Sequence, residues 1–334
     1  MDKIRIRGDE RTLETVLICV HSVFGLVSMA VNALALYKSI FSAADILGAY
    51  KLILINQSVV NFLLAASVVF LQLRIFITPF GNVFAVLGLA SFTNHFIAFL
   101  VYTLFSSLFL DYYFLLLIGM LYNCHWIHKS RYGPKMTSIF LLAAAVLSFA
   151  DFVLSGVLFY EDEDQSRQFS RNKTHETVLN RHMVFAVRVH ENVMDIVVNY
   201  IDAIFMVFCI AMLIFLRYRI RVYLKRHEQE LTYIQSKLIN LIIIQASIMV
   251  VLVAIPSGFY FLLYEYLREA GCDCIMFIMI ALALFLLPIF VLRMLRTVRH
   301  SHRLHNDDNL SVSVATSHLE REGPSTSTIH RDLS

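Results

Sequence analysis

Seven apolar runs, each long enough to cross a lipid bilayer, constrain this chain more than any other feature of its sequence. The hydrocarbon core is about 30 Å thick and a helix rises about 1.5 Å per residue, so a crossing needs about 20 mostly apolar residues. Backbone groups in lipid must be paired within the crossing segment, so we expect each run to be a helix. The runs lie at residues 15–37, 52–73, 93–121, 136–159, 193–216, 238–262 and 274–293.

Composition supports lipid as the solvent for most of the chain. Hydrophobic residues make up 58% of the 334 residues and charged residues only 16%, whereas soluble domains carry about 25% charged residues. A water-soluble core could not hide this much apolar surface. We therefore predict an all-α membrane protein, a seven-transmembrane helical bundle occupying residues 15–304, with a short extracellular N-terminus at 1–14 and a disordered cytoplasmic tail at 305–334.

One further apolar stretch, residues 75–92, leaves an eight-span alternative open. It contains turn-forming residues from Thr78 to Asn82, and an eighth span would leave Thr93 and Asn94 as a complete connection. We therefore interpret 75–92 as an outer loop and the approach to the third span. This choice also sets the side on which the N-terminus lies.

Lysine and arginine in the connections predict the orientation, because cytoplasmic loops are enriched in both. The second and sixth connections carry one basic residue each, whereas the first, third and fifth connections and the stretch after the last span carry more. The N-terminus is therefore predicted outside and the C-terminus inside, although four basic residues also precede the first span. The largest loop, predicted outside, contains the glycosylation sequon at Asn172.

Polar residues inside apolar runs are the first candidates for function, because they are costly in lipid unless they face protein or water. Asp111, in the third span, is interpreted either as a ligand counter-ion, an ion site or a switch residue, or as a carboxyl group that is protonated or hydrogen-bonded inside the bundle. In the same span a stripe of polar and aromatic residues has the 4-3-4 spacing of one helix face, which suits a cavity wall or ordinary helix packing. The stripe consists of His95, Phe99, Tyr102 and Ser106.

The fifth and sixth spans add further candidates. Asp195, Asn199 and Asp202 share one face of the fifth span, with Asn199 and the deeper Asp202 predicted to bind ligand. Pro256 is expected to kink the sixth span because proline lacks a backbone donor and clashes with the preceding turn. The kink is read as a hinge or as a static bend.

Basic residues after the fifth span form a candidate surface for an inner partner, although topology and lipid attraction alone also explain positive charge there. These residues are Arg217, Arg219, Arg221, Lys225 and Arg226. The stretch from Arg293 to Leu304 mixes apolar residues with arginines and suits a segment lying on the inner leaflet.

The chain resembles G-protein-coupled receptors, and more specifically the nematode serpentine chemoreceptors of the Srd and Str type. The resemblance spans roughly residues 15–300 and is carried by Leu54 to Asn61 and Phe70 to Arg74 around the second span, and by Lys237–Leu238, Ile244–Ala246 and Ile255–Pro256 in the sixth. It implies a small odorant or tastant as ligand, a heterotrimeric G protein as partner, and a plasma-membrane location in the cilium of a sensory neuron.

The sequence departs from that pattern at three places. Asn123 stands at the inner end of the third span, where such receptors commonly have arginine, and is a candidate partner contact. The last span has Leu287–Pro288 followed by Ile289 in place of an Asn-Pro-x-x-Tyr pattern. No cysteine occurs between residues 74 and 123 or in the long outer loop, so the usual bridge cannot form. These departures leave the signalling step open and do not affect the topology.

Two other classes were weighed against a receptor. A transporter or channel predicts internal repeats and interrupted spans, which the sequence lacks. An intramembrane aspartyl enzyme would need Asp111 and Asp202 together, and neither lies in a Gly-x-Gly-Asp setting. The histidines show no metal-ligand spacing, so neither a metal nor a cofactor is predicted, and nothing points to nucleic acid. The sequence thus predicts a chemosensory receptor that is not an enzyme.

Overall fold

The computed structural model describes residues 2–41, 47–48, 50–78, 81–127, 134–160, 182–188, 193–226, 233–256 and 275–321. Seven α-helices dominate this part of the chain: α1 (Asp2–Phe41), α2 (Tyr50–Leu71), α3 (His95–Ile127), α4 (Pro134–Leu158), α5 (Val193–Arg226), α6 (Tyr233–Met249) and α7 (Ile275–Arg321). Six described segments are long and apolar enough to cross a membrane, one for each helix except α5, and the segment of α6 continues through the following turn to Ala254. The predicted helical membrane bundle is confirmed.

A small antiparallel sheet occupies the stretch whose interpretation was open. Strands β1 (Leu73–Thr78) and β2 (Gly81–Val86) form a hairpin, and β3 (Met183–Arg188) pairs with β2, giving the order β1-β2-β3. The last pair of this hairpin joins Thr78 to Gly81, both within the predicted turn-forming stretch from Thr78 to Asn82. Residues 75–92 are therefore not an eighth helical span. The third strand comes from the long loop, for which no strand was predicted.

The ends of α2 and α3 fix the sheet against the bundle. Gln72 ends α2 with a left-handed φ of 44°, its amide N–H bonds Val68 O, and its side chain donates to Ser22 Oγ of α1 at 2.9 Å. After β2, Gly88 lies so close to α2 that an added Cβ would be 2.5 Å from Phe70 O. Only glycine fits this approach, which leads through a 3₁₀ turn (Leu89–Phe92) into α3.

The helices alternate in direction, so the bundle has two distinct ends. We call the end that carries β1–β3 the sheet end and the opposite end the basic end. Helices α1, α3, α5 and α7 run from the sheet end to the basic end, and the other three run back. α1 packs against α2 and α7, and α3 packs against α2, α4 and α5, so α3 lies centrally.

Two helices extend beyond the predicted membrane segments. α1 begins at Asp2 and α7 continues to Arg321, past residue 305, where the sequence predicts that the disordered tail begins. The division of the chain at 14 and 304 stays a prediction. Residues 322–334 and the sequon at Asn172 lie outside the described residues.

Candidate functional site

The upper part of the predicted helix-3 stripe packs beneath the sheet. His95 and Phe99 are buried, and their rings meet Phe185 of β3 and Tyr160 after α4 at centroid distances of 5.4–6.5 Å. Edge-on ring contacts of this kind stabilise packing beyond the area they bury. His95 and Phe99 therefore hold the sheet in place, and neither borders the cavity described next.

The lower part of the stripe borders a cavity of about 170 Å³ directly beneath the sheet. Tyr102 forms its upper boundary, since its ring also lies 4.5 Å from the Phe84 ring of β2. The wall is mostly apolar, with hydroxyl groups at three positions. The described lining residues are Tyr102, Phe105, Ser106, Phe109, Leu110 and Tyr113 of α3, Val253 after α6, and Ile280 of α7.

The Tyr113 hydroxyl stands out among the polar groups of this wall. Tyr113 is 2% exposed, and its hydroxyl has no hydrogen-bond partner among the described residues. An unpaired buried hydroxyl costs about 1–3 kcal/mol. Tyr113 lies seven residues, about two helical turns, beyond Ser106, so extending the stripe inward would have predicted it from sequence.

The cavity wall includes a locally altered part of the sixth span. Val253 lies within the π-helical turn Val250–Ala254, which directly follows α6. The Ile255 N–H bonds the Val250 carbonyl, five residues back, and Pro256 follows at once. Proline cannot donate to the carbonyl four residues before it and clashes with that turn, so the wider turn accommodates Pro256. π-turns inside helices are frequent at functional sites.

Asp111 lies away from the cavity, at the α3–α4 interface. Ser107 Oγ donates to Asp151 Oδ2 of α4 at 2.6 Å. Asp111, one turn further along α3, lies near Ser148 of α4, whose buried hydroxyl makes no hydrogen bond among the described residues. This position between two helices agrees with the interpretation of Asp111 as a carboxyl group enclosed in the bundle, and its role stays a prediction. Asp151 was missed, although a carboxyl group in the fourth apolar run met the same criterion as Asp111.

An ionic cluster joins α1 to the sheet. Glu14 of α1 lies 3.7 Å from Arg74 Nη1 of β1 and 3.4 Å from His182 Nε2 just before β3. The side chains of Glu14 and Arg74 are only 8% and 3% exposed. Paired burial of this kind fixes relative position, because breaking it leaves a charge in a poorly solvated place. The cluster tethers β1 and β3 to α1. Because the long loop contains no cysteine, a disulfide bond from that loop cannot serve this purpose.

The basic end carries the predicted partner surface. The side chains of Arg217, Arg219, Arg221, Lys225 and Arg226 are all exposed on α5. Asn123, by contrast, is fully buried and donates to the Gly119 carbonyl at 2.8 Å. A partner reaches Asn123 only if the helices separate, so its role as a contact stays a prediction.

Two predicted ligand residues fall where only the backbone is described. Asn199 and Asp202 lie on α5, and their side chains are outside the described part of the chain. The stretch from residue 257 to residue 274 is also outside it. Among the residues that are described, no cluster of histidine, cysteine, aspartate or glutamate could hold a metal ion.

No curated protein matches the chain. A family model described as "Serpentine type 7TM GPCR chemoreceptor Srd" matches residues 17–301, from the first apolar helix to just beyond the basic end of the last. This range includes the whole bundle, the sheet and the cavity. The chain therefore belongs to the Srd family of serpentine seven-transmembrane chemoreceptors.

Proposed function

We propose that this receptor binds a small external molecule in the cavity beneath the sheet and reports it at the basic end to a heterotrimeric G protein. The observation that carries the proposal is the composition of the cavity wall. Residues of the central helix α3 and Val253, in the π-turn after α6, line the same cavity. A ligand in this cavity touches both elements, and it shifts their equilibrium only by binding one arrangement more tightly.

The π-turn and Pro256 are the proposed bistable element. A turn that already departs from α-helical hydrogen bonding needs less rearrangement to change the direction of α6 than a regular helix does. Because α6 extends from Tyr233 at the basic end to Met249 beside the π-turn, a small change next to the cavity displaces its far end, at Tyr233. Pro256 is thus assigned the role of hinge.

The lining of the cavity limits the ligand. An apolar cavity of about 150 Å³ holds a molecule the size of benzene, close to the volume found here. No charged residue is among the described lining residues, and burying an unpaired charge is costly. The expected ligand is a compact, uncharged molecule with one hydrogen-bonding group. If Asn199 and Asp202 face the same space, they add polar contacts from α5.

Charge supports the proposed orientation. Described lysines and arginines concentrate at the basic end, from Lys38 of α1 to Arg299 of α7. The sheet end has fewer: four at the start of α1, which Asp2, Asp9, Glu10 and Glu14 accompany, Arg188 of β3, and Arg74, which is paired. Cytoplasmic loops carry the excess of basic residues. The basic end is therefore assigned to the cytosol. The sheet end, the N-terminus and Asn172 are assigned to the outside, and the receptor is assigned to the plasma membrane.

A screen of small uncharged compounds on cells expressing the chain, with a second-messenger readout, tests this function. Ser106→Trp, which fills the cavity, is expected to abolish the response to any active compound while surface expression is retained. Leu142→Trp, at an exposed position on α4, is the matched control and should respond normally. Solute flux or ion current through the purified protein in liposomes, without any G protein, would instead identify a transporter or channel.

A further inference from the structure

A second cavity lies at the basic end, between α1 and α7, far from the proposed ligand site. Its volume is about 650 Å³, and we call it the α1–α7 cleft. Its described lining is apolar on one side and cationic on the other: Leu34 and Lys38 of α1, and Ile289, Leu292, Arg293, Leu295, Arg296, Arg299 and His300 of α7.

The cleft opens where a close helix contact ends. Toward the sheet end, α1 and α7 touch: Ser28 Oγ donates to the Leu284 carbonyl at 2.7 Å, and the Phe24 and Phe285 rings are 6.0 Å apart. Pro288 follows inside α7, and proline removes a helix hydrogen bond and favours a bend. The lining residues begin at the next position, Ile289.

The cleft has the depth of one bilayer leaflet. Ile289 and Arg299 are ten residues apart, about 15 Å along a helix, which is half of the roughly 30 Å hydrocarbon core. The apolar side chains at Leu34, Ile289 and Leu292 precede Lys38, Arg296 and Arg299 along their helices. Arg293, four residues or about 6 Å beyond Ile289, also lines the cleft, and a long arginine side chain can reach along apolar surface toward the headgroups. Apolar lining therefore predominates in the deeper part, and most of the positive charge lies where a bilayer has its headgroups.

Charge complementarity selects the occupant. Four lysine or arginine side chains and one histidine line the cleft, and no acidic residue is among the described lining residues. A soluble anion would make no contact with the apolar half of the cleft. A protein partner could not enter at the depth of the hydrocarbon. An acyl chain fits the apolar half, and a phosphate-bearing headgroup fits the basic half.

We propose that the α1–α7 cleft binds one anionic phospholipid of the surrounding leaflet. Its acyl chain lies against Leu34, Ile289 and Leu292, and its phosphate is held by Lys38, Arg296 and Arg299. The site differs from a diffuse basic surface because it requires both halves. The proposal rests on the membrane-spanning bundle alone, so it does not depend on the ligand cavity or on G-protein coupling.

Binding of phosphatidylserine to the purified full-length chain, measured by native mass spectrometry against phosphatidylcholine of the same acyl chains, tests the proposal. Phosphatidylserine should bind more tightly. A hydrogen bond to a charged group contributes about tenfold or more in affinity, so Arg296→Gln with Arg299→Gln should weaken phosphatidylserine binding by about a hundredfold. Phosphatidylcholine binding should be unchanged.

Two matched controls separate the cleft from general charge and from general bulk. Arg219→Gln with Arg221→Gln removes the same charge from exposed positions on α5 and should leave phosphatidylserine binding within about twofold of wild type. Leu34→Trp, which narrows the apolar half, should lower binding of phosphatidylserine, whereas Leu142→Trp on the exposed face of α4 should not.

Three results would overturn the proposal. The first is equal affinity for phosphatidylserine and phosphatidylcholine. The second is an equal loss of binding in the α5 control, which would mean that charge acts without a site. The third is displacement of phosphatidylserine by glycerophosphoserine, which lacks acyl chains, since the cleft would then bind a soluble phosphate and not a lipid.

Discussion

Tyr113→Phe is the substitution for which the structure makes opposite predictions about stability and about ligand response. It removes one oxygen atom from the wall of the cavity beneath the sheet. In the described structure this hydroxyl is buried and makes no hydrogen bond. The fold therefore loses no interaction, and the cavity loses one group that could bind a ligand.

The expected magnitudes follow from general hydrogen-bond energetics. Leaving a buried polar group unpaired costs about 1–3 kcal/mol, so Tyr113→Phe should raise the free energy of unfolding by up to about that amount. A neutral hydrogen bond to a ligand contributes about 0.5–1.5 kcal/mol. Its loss should raise the half-maximal ligand concentration by about twofold to about thirteenfold.

Thermal unfolding of the purified protein without ligand, together with dose–response curves in cells, measures both effects. Tyr50→Phe is the matched control, because its hydroxyl is also buried and unpaired among the described residues but lies on α2, away from the cavity. Both variants should have a Tm at or above that of wild type, and only Tyr113→Phe should lose potency. A lower Tm for Tyr113→Phe, or equal potency loss in both, would refute the reasoning.

Three further substitutions probe the helix contacts. Ser107→Ala should destabilise the bundle by about 0.6–1.7 kcal/mol by removing the α3–α4 hydrogen bond, whereas Ser247→Ala, which removes a bond within one helix, should cost less in the same thermal unfolding assay. Glu14→Gln should cost up to about 3–5 kcal/mol by leaving Arg74 weakly paired, and the double variant with Arg74→Leu should cost much less than the sum of the two single changes in an unfolding cycle. Pro256→Ala restores a backbone donor beside the π-turn, so it should lower the maximal ligand response without a matching loss of ligand affinity in a binding assay; an unchanged maximal response would show that Pro256 is a static bend.

The helices could be predicted from sequence because the bilayer imposes a length and a polarity that any run of about 20 residues either meets or fails. The rejection of an eighth span rested on the turn residues near Pro79, and the structure confirms it with a hairpin there. The third strand could not be predicted in this way. β3 pairs with β2 across about 100 residues of chain, and strand pairing depends on partners that local sequence does not identify.

The residues that line the cavity beneath the sheet could be predicted in part from helical periodicity. A 3.6-residue period places Tyr102 and Ser106 on one face, and both line the cavity. Periodicity cannot tell which neighbour that face meets at each level, so it could not separate His95 and Phe99, which support the sheet, from the residues below them. Nor could it place Asp111 at the interface with α4, because Ser148, the α4 residue near it, is an ordinary residue in an apolar run.

The central claim is that occupancy of the cavity beneath the sheet activates a G protein through α6. Guanine-nucleotide exchange on a heterotrimeric G protein, measured in vesicles holding only that protein and the receptor, tests it most directly once the screen has supplied an active compound. The account predicts that the compound accelerates exchange, that Ser106→Trp abolishes the acceleration, and that Leu142→Trp retains it. Acceleration that persists at wild-type level in Ser106→Trp would contradict the claim.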